Sequence, residues 1–249
     1  MAACRHLDDH HVVLTLEAPH VAAAARPGQF IMLPAREGTD PLLRRPLGIM
    51  DINPPFLSVF FQIAGRGTRF LSRLLPGDAL PVLGPLGSPF PVAAKRRILA
   101  IAGGRGIAPL LFALKEYSRD NDVFLLYGAR CAALLHLRDR IAALPLGAVE
   151  YCTETGDFGR TGKLSAALPT MLADHAIDMT IACGPQAMFA DLDPLLAARK
   201  TEDYFSAEAH MACGFGACNS CVVPAVGGGY RRVCRDGPVF PREAIQWRT

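Results

Sequence analysis

No block of lysine and arginine breaks the interleaved charges of this sequence, and its formal net charge is only +3. The electrostatic footprint of a nucleic-acid binder is therefore missing. No apolar run is long enough for a bilayer either: the longest, RILAIAGGRGIAPLLFAL, is interrupted by Gly103, Gly104, Arg105 and Pro109 and reads as strand, turn and helix. The opening MAACRHLDDHHVVLTLEAP lacks the basic region, long apolar core and small-residue cleavage site of a secretory leader, which points to the cytoplasm. Internal repeats and low-complexity tracts are absent as well. What is there, 249 residues with 51% hydrophobic and 20% charged side chains, suits well-packed globular structure long enough for two compact domains and a small third, and argues against extended disorder.

Cysteine is the residue type that carries chemistry. Thiols stay reduced in the cytoplasm, so the eight cysteines read as ligands or small buried apolar residues and not as disulfides. Cys4, Cys131, Cys152 and Cys183 are scattered, as buried or incidental thiols are. The other four form Cys213-x4-Cys218-x2-Cys221-x12-Cys234, the spacing of plant-type 2Fe-2S ligation. Gly214 and Gly216 suit a loop that needs positive φ angles and backbone N–H groups close to sulfur. Zinc is the alternative occupant, although structural zinc sites favour two short-spaced pairs and accept His, whereas this arrangement is three plus one.

Upstream, residues 1 to about 93 hold short β-type runs (HVVLTLEAP, GQFIMLPA, LGIMDI, FLSVFFQIAG) separated by Gly and Pro turns, the rhythm of a small antiparallel barrel. From about 95 the period changes to alternating strand and helix. RRILAIAGG, DVFLLYGAR, AVEYCTE and DMTIACG read as strands, with helices at APLLFALKEYS, ALLHLRDRIAAL, near 164–173, and at PQAMFADLDPLLAARK. Such alternation implies a parallel sheet with helices on both faces.

Three elements suit phosphate chemistry. RRPLGI, at a strand edge, offers Arg45 as a bidentate partner for phosphate, beside a backbone fixed by Pro46; a solvated surface arginine is the plainer reading. GRGTRFLSRLLPGD leads two glycines and Thr68 into a helix whose free N–H groups and dipole would face an anion, or Thr68 is simply an N-cap. AGGRGIAPL joins strand to helix at the first turn of the α/β unit, where a nucleotide pyrophosphate sits, although it is not a strict G-x-G-x-x-G.

Taken in this order, the pieces resemble the ferredoxin-NADP reductase family, a flavin-binding barrel followed by a nicotinamide-nucleotide domain, over nearly the whole chain. RRPLGI looks like the family's flavin motif, GRGTRFLSRLLPGDALPVLGPLGSPF like its pyrophosphate helix and following turn, and IAGGRGIAPL like its nicotinamide-side glycine loop. TETGDFGRTGKL and IACGPQAMF look like later landmarks. The cysteine tail, with VCRDGPVF around Cys234, is more specific: it resembles the electron-transfer subunits of two-subunit, NAD-linked dihydroorotate dehydrogenases of pyrimidine biosynthesis.

The resemblance implies a multidomain α/β plus β chain, with an FAD-binding β-barrel over 1–93, an NAD(P)-binding α/β domain over 94–200 and a small 2Fe-2S domain over 201–249. It implies FAD contacts from Arg45, Pro46, Leu47 and Gly48, from Phe60, Phe61 and Gln62 on the strand beneath the flavin, and from Gly67 and Thr68 at the pyrophosphate. Gly103, Gly104 and Gly106 would meet the nicotinamide nucleotide, together with Cys183, Gly184 and Pro185, where a strand-end turn with a buried thiol is the other reading. Cys213, Cys218, Cys221 and Cys234 would hold the cluster. Gly48 stands where Ser is usual, Gln62 where a basic residue is common and Arg105 where an aliphatic one is typical, which bears on flavin tuning and nucleotide affinity.

Function follows from the same resemblance. Nicotinamide exchanges hydride and a 2Fe-2S cluster single electrons, so FAD, which does both, belongs between them. The chain would relay electrons between NAD and a separate FMN-containing catalytic subunit that oxidises dihydroorotate, the two forming a heterotetramer, with no substrate acid or base of its own. A subunit of the same build serving a hydrogenase or an oxygenase is an alternative; a zinc-stabilised interaction module on a nucleotide-binding scaffold is another. On the nucleotide, the resemblance implies NAD, whereas YGARCAALL offers Arg130 and no acid after the second strand, which leans toward the 2′-phosphate of NADP.

Overall fold

Strand alternation builds the N-terminal sheet. On β2 (His11–Glu17), Val12, Leu14 and Leu16 point into one core with Ile31 and Leu33 of β3 (Phe30–Leu33), Ile49 of β4 (Arg45–Asn53) and Leu57, Val59 and Phe61 of β5 (Phe56–Gln62). Val13, Met50 and Phe60, on the opposite face, join a second core, in which β4 packs against α3 (Ile107–Tyr117). Burial on both faces explains why these strands read as near-continuous apolar runs. With β1 (Ala3–His6) and β6 (Leu83–Leu86) the antiparallel sheet has the order β1-β2-β5-β4-β3-β6. Its edge strands are not paired with each other among the described residues, so the expected barrel is barrel-like and not closed. Two short helices, α1 (Pro19–Ala24) and α2 (Arg66–Leu71), connect strands. In this computed structural model the described residues are 1–35, 40–199 and 201–247; Lys200, the expected domain end, and residues 248 and 249 lie outside them.

The second sheet has the order β10-β9-β8-β7-β11-β12-β15. Its strands are β7 (Arg97–Gly103), β8 (Asp122–Ala129), β9 (Ala148–Thr153), β10 (Arg160–Thr161), β11 (Met179–Cys183), β12 (Glu202–Ser206) and β15 (Val239–Pro241), all parallel except for the last pair. Ile98, Ala100 and Ala102 face α3 (Ile107–Tyr117); Leu99 and Ile101 face α5 (Leu164–Asp174) and α6 (Gln186–Ala197). Helices thus cover both faces, as the alternating pattern implies. The helix expected over 133–144 is reduced to α4 (Arg138–Ala142), preceded by a 3-10 turn at Ala132–Leu134. Leu135, His136 and Leu137 are buried in succession, which one helical face cannot provide, and Leu137 turns the chain at φ 64°.

The C-terminal segment adds β12 and β15 to this sheet and carries the cysteines on the loop between them, with a small hairpin of β13 (Val222–Pro224) and β14 (Tyr230–Arg232). The Ala207 N–H donates to Pro238 O at 2.8 Å and closes the base of the loop. Arg242 reaches from behind β15 to Asp193 of α6 at 2.7 Å and to the buried Asp203 of β12 at 3.2 Å. The Trp247 ring packs on Phe189 and Phe205, and its Nε1–H donates to Arg242 O.

Candidate cofactor and electron-transfer site

The four cysteines are brought together against the antiparallel sheet. A Cβ on Gly214 would lie 2.7 Å from Met32 of β3, and Gly214 and Gly216 adopt the expected positive φ, 83° and 89°. Burial opposes ionisation of Cys213, but the backbone N–H groups of Cys218, Phe215 and Ala217 outweigh it and hold the thiol below its usual range. The Ser220 hydroxyl, then the backbone N–H groups of Cys213 and Ser220, pull Cys218 down to about 6. Burial pushes Cys234 up to about 12, with the adjacent Cys221 adding to the effect, and the Cys234 N–H donates to Cys221 Sγ at 3.4 Å. The sulfurs thus pair as Cys213 with Cys218 and Cys221 with Cys234. A single zinc would draw four sulfurs to mutual distances of about 3.8 Å. Among the described residues no three of these sulfurs lie within 4.8 Å of one another. Two pairs lined by N–H donors fit two bridged irons and not one tetrahedral ion.

Arg45 starts β4, an interior strand of the sheet. Its guanidinium lies over the first turn of α2, where a Cβ on Gly67 would meet Arg45 Nε at 2.7 Å; its Nη1 donates to Leu43 O at 2.7 Å. Arg45 and Gly67 are therefore adjacent, and among the described residues no carboxylate pairs with Arg45. Thr68 is not the N-cap. Gly65 is, and the Thr68 hydroxyl, on the third helical residue, accepts from the N–H groups of Ala64 (2.9 Å) and Gly65 (3.2 Å). Pro46, Leu47 and Gly48 pair with Met32, Ile31 and Phe30 of β3. Gly48 has a packing reason for lacking a side chain: its Cβ would lie 3.1 Å from Pro109 at the start of α3. Phe60 and Gln62 share a face directed at the second domain, whereas Phe61 is enclosed in the antiparallel core and meets nothing on that face.

A cavity of about 580 Å³ opens where β7, β8 and β11 end. This is the dinucleotide position of a doubly wound sheet. Gly103, Gly104 and Gly106 line it, with Gly184 and Pro185 directly beside them and Gln62 contributed by the antiparallel sheet. A Cβ on Gly106 would overlap the Cys183 carbonyl, so the turn and the end of β11 require glycine there. The Cys183 thiol itself is buried away from the cavity; burial, reinforced by Glu208, raises its pKa. Arg105 and Arg130 supply positive charge to the lining, and Lys163 pairs with Asp191 at 3.0 Å. The sequence reading missed His11, His136 and Glu208, which also line the cavity. Glu208 is exposed where it lines the cavity, near the charge of Arg105. The only local signal was the DDHH run that ends at His11.

An antiparallel sheet with an arginine and a helix turn at its margin, a doubly wound sheet with its glycine loop, and an appended cysteine loop together define a ferredoxin-reductase-like oxidoreductase subunit. Comparison agrees. Residues 100–193 match the oxidoreductase NAD-binding domain, and residues 208–246 the iron-sulfur cluster binding domain of dihydroorotate dehydrogenase B. The chain is 36% identical over 235 residues to the dihydroorotate dehydrogenase B (NAD(+)) electron transfer subunit of Geobacillus thermodenitrificans, covering 91% of this chain and 89% of that protein. It is 33% identical over 241 residues to the Desulforamulus reducens subunit of the same name, covering 94% and 92%. The chain belongs to the family of dihydroorotate dehydrogenase B electron transfer subunits. Among solved structures it resembles an NADH-dependent reduced ferredoxin-NADP oxidoreductase studied for flavin-based electron bifurcation (TM-score 0.86, 26% identity, 99% of this chain and 88% of that one). The ferredoxin NADP+ reductase of Neisseria gonorrhoeae, solved with FAD and NADP, shares the fold (TM-score 0.68, 20% identity, 80% and 89%).

Proposed function

We propose that this chain is the electron-transfer half of a dihydroorotate dehydrogenase, docked on an FMN-containing catalytic subunit in a cytoplasmic heterotetramer, and that it passes electrons from that subunit to NAD. The observation that carries this reading is the placement of the paired cysteines on a loop packed against β3, next to the strand whose Arg45 begins the candidate flavin site. Among the described residues no helix is long and apolar enough to cross a membrane. When bound, FAD exchanges hydride with nicotinamide and single electrons with an iron-sulfur cluster.

The chain's own residues bind, orient and exclude water. Arg45 offers a fixed, charge-assisted donor to a flavin phosphate beside the N–H groups of α2. Phe60 and Gln62 present an apolar wall and an amide on the face toward the cavity. Gly103, Gly104 and Gly106 let the backbone approach a nucleotide pyrophosphate, with Gly184 and Pro185 packed directly beside them. Cys213, Cys218, Cys221 and Cys234 hold the irons, and the N–H groups around Cys213 and Cys218 favour the thiolate form that ligation requires.

The isolated chain should reduce a one-electron dye with NADH and leave dihydroorotate untouched. Adding the FMN-bearing partner should create dihydroorotate-dependent NAD reduction, and Cys221→Ser should abolish that coupled rate while sparing direct hydride exchange with FAD. Dihydroorotate oxidation by the chain alone, or undiminished coupled activity in the variant, would overturn the relay. A second reading, a reductase subunit serving another redox partner, draws support from the overall likeness to the bifurcating oxidoreductase and from Arg130 in the nucleotide cavity. Identifying the protein that co-purifies distinguishes the two.

A further inference from the structure

A cluster of ligand-type side chains at the cavity's edge has no part in the relay. Asp8 lies in the turn between β1 and β2, His11 begins β2, and His136 comes from the stretch between β8 and α4. His11 Nδ1 is 3.0 Å from both carboxylate oxygens of Asp8, and His136 Nε2 is 3.7 Å from Asp8 Oδ2. The two imidazole rings are 4.1 Å apart, with Phe60 against both.

His11 is satisfied by Asp8. His136 is not: it is only 9% exposed, and its Nε2 is buried without a hydrogen-bond partner. A buried nitrogen left unpaired destabilises the fold, so it requires an explanation. Its approach to Asp8, at 3.7 Å, is too long for a hydrogen bond.

We propose that Asp8, His11 and His136 form a binding site for a zinc-class divalent cation that joins the antiparallel sheet to the nucleotide domain beside the cavity. The three ligand atoms form a triangle with sides of 3.0 and 3.7 Å and a third of at most 4.8 Å. Tetrahedral zinc with bonds of 2.0–2.1 Å has ligand–ligand edges of about 3.4 Å. A cation near the centre of the triangle therefore reaches all three with small side-chain adjustments. Two imidazoles and one carboxylate select a first-row transition ion over magnesium or calcium, which take oxygen ligands. Because both histidines line the cavity, the fourth position falls to water or a small anion.

The test uses the full chain with FAD and cluster bound, stripped of loose metal on a chelating resin and then titrated with Zn2+. One zinc per chain should survive gel filtration. Its K-edge absorption should show nitrogen and oxygen neighbours at about 2.0–2.1 Å and no sulfur near ~2.3 Å. His136→Gln should weaken zinc binding by more than the ~10-fold that even a supporting residue costs. Asp8→Asn, at a more exposed position, should do the same if the histidine variant fails to fold, with visible absorption reporting that FAD and cluster remain. Failure to retain zinc, a sulfur shell, or equal affinity in folded variants overturns the site.

Discussion

Replacing Gly106 by Ala tests the nucleotide cavity most directly. The added Cβ overlaps the Cys183 carbonyl and lies 2.8 Å from Gly184 N, and both neighbours are backbone at the end of an interior strand. No side chain can swing away, so the turn itself has to move, by roughly 1 Å, at an overpacking cost of about 1–3 kcal/mol. For a chain of this size each kcal/mol lowers the unfolding midpoint by about 2–4 °C, giving a fall of roughly 2–12 °C. The displaced turn is also the surface that meets the nucleotide, and misplacement on the order of 1 Å costs about 100-fold in rate. Gly104→Ala is the control. Nothing lies within 4 Å of its Cβ, but φ is 52°, so it carries only a left-handed backbone penalty of about 1–2 kcal/mol. Dye reduction by NADH, followed as kcat/KM at equal flavin content, should fall on the order of 100-fold in the Gly106 variant and about 10-fold or less in the Gly104 variant. A Gly106→Ala protein with wild-type kcat/KM and midpoint would show that close approach to Cys183 is not what the glycine serves.

Arg45→Ala should weaken flavin retention by about 1.5–3 kcal/mol, a charge-assisted hydrogen bond, without unfolding the chain; equal flavin absorbance after extensive dialysis would argue against the site. Arg242→Met leaves Asp203, whose side chain is 1% exposed, without its cation. That should cost about 3–5 kcal/mol in thermal unfolding, and Asp203→Asn in the same chain should recover part of it; a loss below about 1 kcal/mol would refute the pairing.

Chemistry that depends on local spacing was legible in the sequence. Four sulfurs around a cluster need short separations and glycine between them, and the glycine loop declares itself because one turn has to pass against a neighbouring strand. Parity was harder to read. Phe60 and Phe61 are both apolar because β5 is buried on both faces, so only the fold shows that one faces the cavity side and the other the core. The short strands β12 and β15 escaped notice because their pairing is non-local and three to five ladder positions leave little pattern. The apolar periodicity of ALLHLRDRIAAL suggested a helix that the turn at Leu137 interrupts. His11 and His136 are distant in the chain and meet only because the antiparallel sheet docks on the parallel one.

The cysteine loop leaves the second sheet at β12 and returns to it at β15, so both of its ends are anchored in one rigid ladder while its tip rests on Met32. Carriers on tethers deliver electrons at a rate set by diffusion of the arm. Here the separation between the sulfurs and the nucleotide cavity is a built-in dimension. Internal transfer should therefore be indifferent to solvent viscosity, and lengthening the connection to either strand would turn a fixed wire into a swinging one.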